Sequence, residues 1–121
     1  MSVEESEDSP LQLSVITVVR DNTSGFIETL NSLKEQSISE FNWVVIDSSD
    51  DRTAIPSLLE SLDQPADYLW VEPEGIYPAM NLGARISQGR YLYFLNSGDT
   101  LFNSKTLRRV DKDLVATSPL W

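Results

Sequence analysis

The chain has 121 residues, with 9 Lys and Arg against 19 Asp and Glu, and neither His nor Cys. That length suits one domain, and 40% apolar with 23% charged residues is an ordinary globular composition. The net charge of −10 argues against nucleic acid and anionic membrane surfaces as partners. The two missing residue types exclude imidazole bases, thiolate nucleophiles, disulfides and Cys- or His-based metal sites. Carboxylates, hydroxyls, Lys and Arg remain, so a bound metal would be an oxygen-liking Mg²⁺, Mn²⁺ or Ca²⁺.

Residues 1–10 carry Glu4, Glu5, Glu7 and Asp8 without a base and end at Pro10, which predicts a disordered acidic leader. Residues 11–121 are expected to form the domain. Its first apolar run, Leu13-Ser-Val-Ile-Thr-Val-Val19, is β-branched and continuous, as in a strand buried on both faces. It is also the longest such run, and far too short to span a bilayer. Asp21-Asn-Thr-Ser-Gly25 breaks it, and Phe26, Ile27, Leu30 and Leu33 recur at helical spacing.

Trp43-Val-Val-Ile46 reads as a second strand, halted by Asp47-Ser-Ser-Asp-Asp51. Thr53 is the expected N-cap of a helix with Pro56 in its first turn and Leu58, Leu59 and Leu62 as its apolar stripe. Tyr68-Leu-Trp-Val71 is a third strand, and Ile76, Ala79, Met80, Gly83 and Ile86 mark a helix ending at Gly89. Tyr91-Leu-Tyr-Phe-Leu95 is a fourth strand, broken by Asn96-Ser-Gly-Asp99. A last helix is expected from Asn103 or Ser104, using Leu107, Val110 and Leu114. The alternation of strands and helices predicts an α/β fold with a mostly parallel sheet and flanking helices.

Ligands of such sheets bind outside the carboxyl ends of the strands. Every expected strand ends beside a carboxylate: Asp21, Asp47, Glu72 with Glu74, and Asp99. Acids gathered on one rim repel, and a divalent cation offsets that repulsion. The alternative is that such an Asp caps a turn or helix. That reading is preferred for Asp21 and stands level with function for Asp50 and Asp51. The chain has no G-x-x-x-x-G-K-[ST] and no G-x-G-x-x-G after the first strand, which removes both glycine-rich phosphate cradles. Arg20, Arg52 and Arg85 are then the nearest cations for a bound phosphate, each weighed against an ordinary surface charge. A phosphoacceptor receiver domain fits the length, but it needs an acid pair after the first strand and a strand-ending Lys, where this chain has Arg20-Asp21 and no such Lys.

The segment Gly75-Ile-Tyr-Pro-Ala-Met-Asn-Leu-Gly83, continued by Gly89-Arg-Tyr-Leu-Tyr-Phe-Leu-Asn-Ser-Gly-Asp-Thr-Leu101, resembles the core signature of family 2 glycosyltransferases. Val15-Ile-Thr-Val-Val19 and Trp43-Val-Val-Ile-Asp-Ser-Ser49, followed by Asp51-Arg-Thr53, fall where that family's opening motifs fall. The resemblance runs from about Leu11 to about Asp113. It implies the Rossmann-like, nucleotide-binding half of a GT-A domain and a nucleotide-diphosphate sugar, typically a UDP-sugar, as ligand.

By that resemblance Asp47 accepts a hydrogen bond from the base, the backbone at Val18 and Val19 flanks it, and Gly75, Asn81 and Ser97 lie along the donor. Asp99, in the place of the family's DxD-type motif, is the implied carboxylate for Mg²⁺ or Mn²⁺. Three departures stand out: the metal motif holds one acid, Pro78 stands where relatives commonly carry Asp, and Arg20 replaces a common aromatic. The resemblance further implies a chain cut short at its C-terminus, its acceptor half and catalytic base absent. The expected parent is cytoplasmic or peripheral at the cytoplasmic membrane face and acts on a glycan or other hydroxyl acceptor. The cut edge is a candidate for self-association. A non-catalytic nucleotide-binding or structural module that keeps the fold is the alternative.

Overall fold

A computed structural model describes residues 13–36, 41–62, 65–89 and 91–100. The expected leader and last helix lie outside these residues. Within them the order is β1 (Leu13–Val19), α1 (Thr23–Lys34), β2 (Asn42–Asp47), α2 (Ala54–Leu59), β3 (Asp67–Trp70), α3 (Ile76–Ile86) and β4 (Tyr91–Phe94). The four strands form one parallel sheet in the order β3-β2-β1-β4. None of the described helices is long and apolar enough to cross a membrane.

Strand alternation divides the core. Val15 and Val19 of β1 and Trp43 and Val45 of β2 pack with Phe26, Leu30 and Leu33 of α1 and with Ile55 of α2. Ile16, Val44 and Ile46 point the other way and pack under Ala79 of α3. That face is tight: a Cβ at Gly83 would lie 2.6 Å from Ile16 Cγ2, so the missing side chain lets α3 settle on the sheet. Chain direction follows from the same division. β1, β2 and β3 are laid down toward one edge with α1 and α2 on one face, and α3 returns across the other face to place β4 on the opposite side of β1. The sheet therefore has a topological switch point between β1 and β4.

Three local expectations are corrected. α1 is capped by Asn22, whose Oδ1 accepts from Gly25 N–H at 3.2 Å, and not by Asp21. Thr53 occupies the N-cap position of α2 without a capping bond from its side chain. Asp51 stabilises that turn instead, accepting from Thr53 N–H at 2.9 Å and Thr53 Oγ1 at 2.7 Å. These bonds, the hydroxyl's foremost, hold the Asp51 carboxyl below its ordinary range. α3 ends at Ile86, with Ser87 already extended, so Gly89 is not its C′ residue. Gly89 serves close approach: its N–H donates to Ser14 Oγ at 2.6 Å, and a Cβ would lie 2.5 Å from Ser14 N.

Candidate functional site

At the switch point the sheet opens. β4 leaves β1 after Leu95, whose N–H donates to Ile16 O at 2.9 Å. One residue on, the Asn96 side chain enters the gap and its Oδ1 accepts from Val18 N–H at 3.2 Å. Ser97 N–H closes the arrangement on Val18 O at 3.1 Å. The Asn96–Asp99 turn is held from below by α1. Thr29 Oγ1, fully buried, donates to Asp99 O at 2.7 Å and accepts from Gly98 N–H at 3.0 Å. Gly98 takes φ 95°, the conformation this tight turn needs.

A crevice lies over this end of the sheet in two compartments. The smaller, about 270 Å³, is bounded by Val18, Arg20, Asn22, Ser97, Asn96 and Ile76, among others. The larger, about 630 Å³, runs between the 71–75 loop and α3, past Val71, Glu72, Glu74, Asn81, Leu82 and Arg85. Ser48, Gly75 and Ala79 line both, so the two compartments adjoin each other. The larger falls well within the size range of ordinary small-molecule sites, and the smaller lies just below it.

Most residues singled out in the sequence are found here. Val18 and Ser97 line the smaller compartment, Asn81 the larger, and Gly75 both. Val19 does not. Its side chain is in the core beside Phe26, and only its carbonyl reaches the rim, accepting from Ser48 N–H at 3.0 Å. Asp99 is exposed on the turn beside the smaller compartment, its Oδ2 accepting from Asn96 N–H at 3.0 Å.

Asp47 lies beneath the crevice. It is 0% exposed and shares the sheet face of Trp43 and Val45. Its Oδ1 accepts from Ser49 N–H at 2.9 Å and its Oδ2 from the Tyr68 hydroxyl at 2.6 Å. Burial first, and the bond to Asp47 second, push the Tyr68 phenol above its ordinary value of 10.0. A pKa raised on folding stabilises the native state below the unfolded value and loses that contribution as pH rises past it. Tyr68→Phe is therefore expected to lower stability by about 1 kcal/mol at neutral pH. It should also flatten the fall in stability above about pH 10, read as urea midpoints from pH 7 to 11.

The acids do not converge: among the described residues no group of three or more His, Cys, Asp or Glu is placed to hold a metal. Asp21, at φ 53°, uses Oδ1 to accept from Asp50 N–H at 2.8 Å and so ties the two strand ends together. Glu72 and Glu74 line the larger compartment. The arginines separate likewise. Arg20 borders the smaller compartment and Arg85 the larger, whereas Arg52 lies 3.5 Å over the Trp70 ring, a cation–π contact.

Ser48 and Asn96 are among the crevice residues to which the sequence reading gives no individual role. Alternation identifies Ser48: if Trp43 and Val45 face α1, so does Asp47, and the next residue faces α3. Asn96 carries no such signal, because its role is set by where β4 departs from β1.

The sequence model described as Glycosyl transferase family 2 matches residues 14–114. A PGL/p-HBAD biosynthesis glycosyltransferase of Mycobacterium bovis is 34% identical over 88 residues, which cover 67% of this chain and 33% of that protein. An uncharacterized glycosyltransferase of Rickettsia felis is 31% identical over 96 residues, 78% of this chain and 16% of that protein. This chain thus spans a third or less of the length of these relatives. Among solved structures, S. aureus TarS 1–349 in complex with UDP-GlcNAc matches with a TM-score of 0.74 at 24% identity, covering 88% of this chain and 32% of that one. The Pyrobaculum calidifontis mannosyltransferase PcManGT, in complex with GDP-Man and Mn²⁺, matches with a TM-score of 0.74 at 23% identity, covering 85% and 32%. The expected α/β arrangement is the one these GT-A glycosyltransferase structures share.

Proposed function

This chain belongs to glycosyl transferase family 2, and from that premise we propose that its crevice binds the nucleotide-diphosphate part of a sugar donor, in the first instance a UDP-sugar. The observation that carries the reading is the crevice's position, at the carboxyl ends of β1 and β4 where the sheet order reverses, which is where open α/β sheets bind nucleotides. Neighbours of the same fold that hold UDP-GlcNAc and GDP-Man support the ligand class. The parent reaction is transfer of the sugar to an acceptor hydroxyl by direct displacement, with inversion. The acceptor oxygen bonds to the anomeric carbon as the bond to the diphosphate breaks. The chain's part is to hold and orient the donor, and no residue of it is assigned as the base.

The donor set at the turn suits a cation that takes most of its shell from diphosphate and water, because Asp99 supplies one carboxylate and one of its oxygens already accepts from Asn96. When bound, such a cation (Mg²⁺ or Mn²⁺) supplies Lewis-acid stabilisation of the leaving diphosphate. Thr29 and Asn96 fix the turn that presents Asp99, and Arg20, which lines the smaller compartment, adds positive charge there. The second reading, a binding module without transfer, is favoured by this single acid. Calorimetric titration of UDP with Mn²⁺, then with EDTA, tests the site. Binding is expected to weaken about tenfold or more on metal removal and in Asp99→Ala, a change of roughly 1.4 kcal/mol. A folded chain that binds no UDP in either condition would overturn the donor-site assignment.

A further inference from the structure

We propose that Thr29 of α1 is a positioning residue for the cation: its hydroxyl fixes the backbone of the Asn96–Asp99 turn and so holds the Asp99 carboxylate beside the smaller compartment. The proposal rests on the donor-site reading above and adds to it a residue that lines neither compartment. Thr29 carries the one hydroxyl among the buried residues of α1 and is 0% exposed. A Thr within a helix ordinarily returns its hydroxyl to a carbonyl of the preceding turn. This one points to the turn after β4 instead. It donates to Asp99 O, 70 positions along the chain, at 2.7 Å, with Asn96 O as a weaker second acceptor at 3.4 Å. It also accepts from Gly98 N–H at 3.0 Å.

The turn depends on α1 because it has left the sheet. Ser97 is its last residue bonded to β1, through Val18 O. There α1 takes over: Ser97 Oγ donates to Asn22 O at 3.1 Å, and Gly98 N–H is shared between Gly25 O, at 3.1 Å, and Thr29 Oγ1. Asn22 and Gly25 contribute main-chain carbonyls to this clamp, whereas Thr29 contributes a side chain. Within the turn Asp99 N–H donates to Asn96 O at 2.8 Å, and Asp99 Oδ2 accepts from Asn96 N–H. Thr29 is the one anchor from outside the turn that reaches Asp99 among the described residues.

A turn with one carboxylate offers a cation little protein charge, so any freedom left to that carboxylate lowers the affinity directly. Asp99 is held at its N–H by Asn96 and at its carbonyl by Thr29, which leaves only its side-chain torsions free, and Asn96 N–H restrains those as well. The hydroxyl therefore acts on the cation through Asp99, without touching it. A hydroxyl that merely pegged β4 to α1 would affect nucleotide binding equally with and without the cation.

The test is calorimetric titration of UDP into the wild-type chain, Thr29→Ala and Thr29→Ser, each with Mn²⁺ and with EDTA, with melting curves to check the fold. The two variants differ from each other by the hydroxyl alone. Thr29→Ala is expected to weaken binding about three- to tenfold with Mn²⁺, the effect of one hydrogen bond, and about twofold or less in EDTA. Thr29→Ser should keep the gain from Mn²⁺ within about twofold of the wild type. Added to Asp99→Ala, Thr29→Ala should leave the response to Mn²⁺ unchanged, because the two act through one carboxylate. Equal weakening in both conditions, or an undiminished gain from Mn²⁺ in Thr29→Ala, would overturn the proposal. So would unfolding of both Thr29→Ala and Thr29→Val while Thr29→Ser stays folded, which would make the hydroxyl a structural peg. A wild type that binds UDP without responding to Mn²⁺ would overturn it and leave the crevice a nucleotide site. A folded wild type that binds no UDP would remove the donor-site reading and this inference with it.

Discussion

Trp43→Ala is expected to cost about 3–5 kcal/mol, which is a large part of the 5–15 kcal/mol available to a domain of this kind. Trp43 is 2% exposed, and its ring stacks on Phe26 with centroids 5.6 Å apart and planes 8° from parallel. Truncation to Ala removes that contact and leaves a cavity between β2 and α1 too enclosed to collapse. A polar loss adds to it. Trp43 Nε1 donates to Thr17 Oγ1 at 2.9 Å, and the same hydroxyl donates to Leu95 O at 2.7 Å. Thr17 is 0% exposed, so no water replaces the missing donor. A fall in melting temperature of roughly 10 °C or more is the expected reading.

The comparison variant is Trp43→Phe, which keeps a ring against Phe26 but loses the bond to Thr17 and part of the indole's volume. It should cost about 1–2 kcal/mol. Leu95 immediately precedes Asn96, whose side chain fills the β1–β4 gap. Loosening Thr17 therefore acts on the crevice wall as well as on the core. UDP affinity should weaken in Trp43→Phe even at temperatures where the chain is fully folded. Unchanged affinity there would mean that the wall is set by the Asn96–Asp99 turn and α1 alone.

How much of this was legible in the sequence depends on the kind of force involved. Runs such as Leu13–Val19 and the Phe26, Leu30, Leu33 stripe name their elements because burial imposes a period, and all four strands and three helices appear where the pattern puts them. Gly75, Asn81 and Ser97, singled out through the motif, line the crevice because that motif runs from the start of α3 to the turn after β4. Details set by one hydrogen bond were not. Asp21 and Asn22 both suit an N-cap, and which one caps depends on a φ of 53° at Asp21 that the sequence does not announce. The four acidic strand ends suggest a shared cation, but Asp47 is taken up by Ser49 and Tyr68, Asp21 by Asp50 N–H and Asp99 by Asn96 N–H. Asp47 is the clearest case: strand parity places it under the sheet, and an acid at a strand end is otherwise easily taken for a rim residue.

Gly75→Val is expected to destabilise the chain by about 3 kcal/mol and to weaken UDP binding at least tenfold. Gly75 has φ 106° and ψ 165°, a region essentially confined to glycine, and it stands at the N-cap of α3 where the 71–75 loop turns into the helix. The cost is conformational rather than a matter of space, since the nearest atom to an added Cβ is Pro78 Cδ at 3.7 Å. An L-residue relieves the strain by rotating φ, and the rotation swings Pro73 and Glu74 relative to Ala79, all of which line the crevice. Stability and affinity should therefore fall together. The decisive control is chirality. D-Alanine introduced by chemical synthesis finds this same backbone unstrained, because its mirror image is ordinary extended structure. It should keep near-wild-type melting and binding, while L-alanine loses about 1–3 kcal/mol. Equal loss of binding with both alanines, with melting kept, would mean that the methyl group obstructs the ligand, and that the glycine is there for the donor's approach and not for the turn.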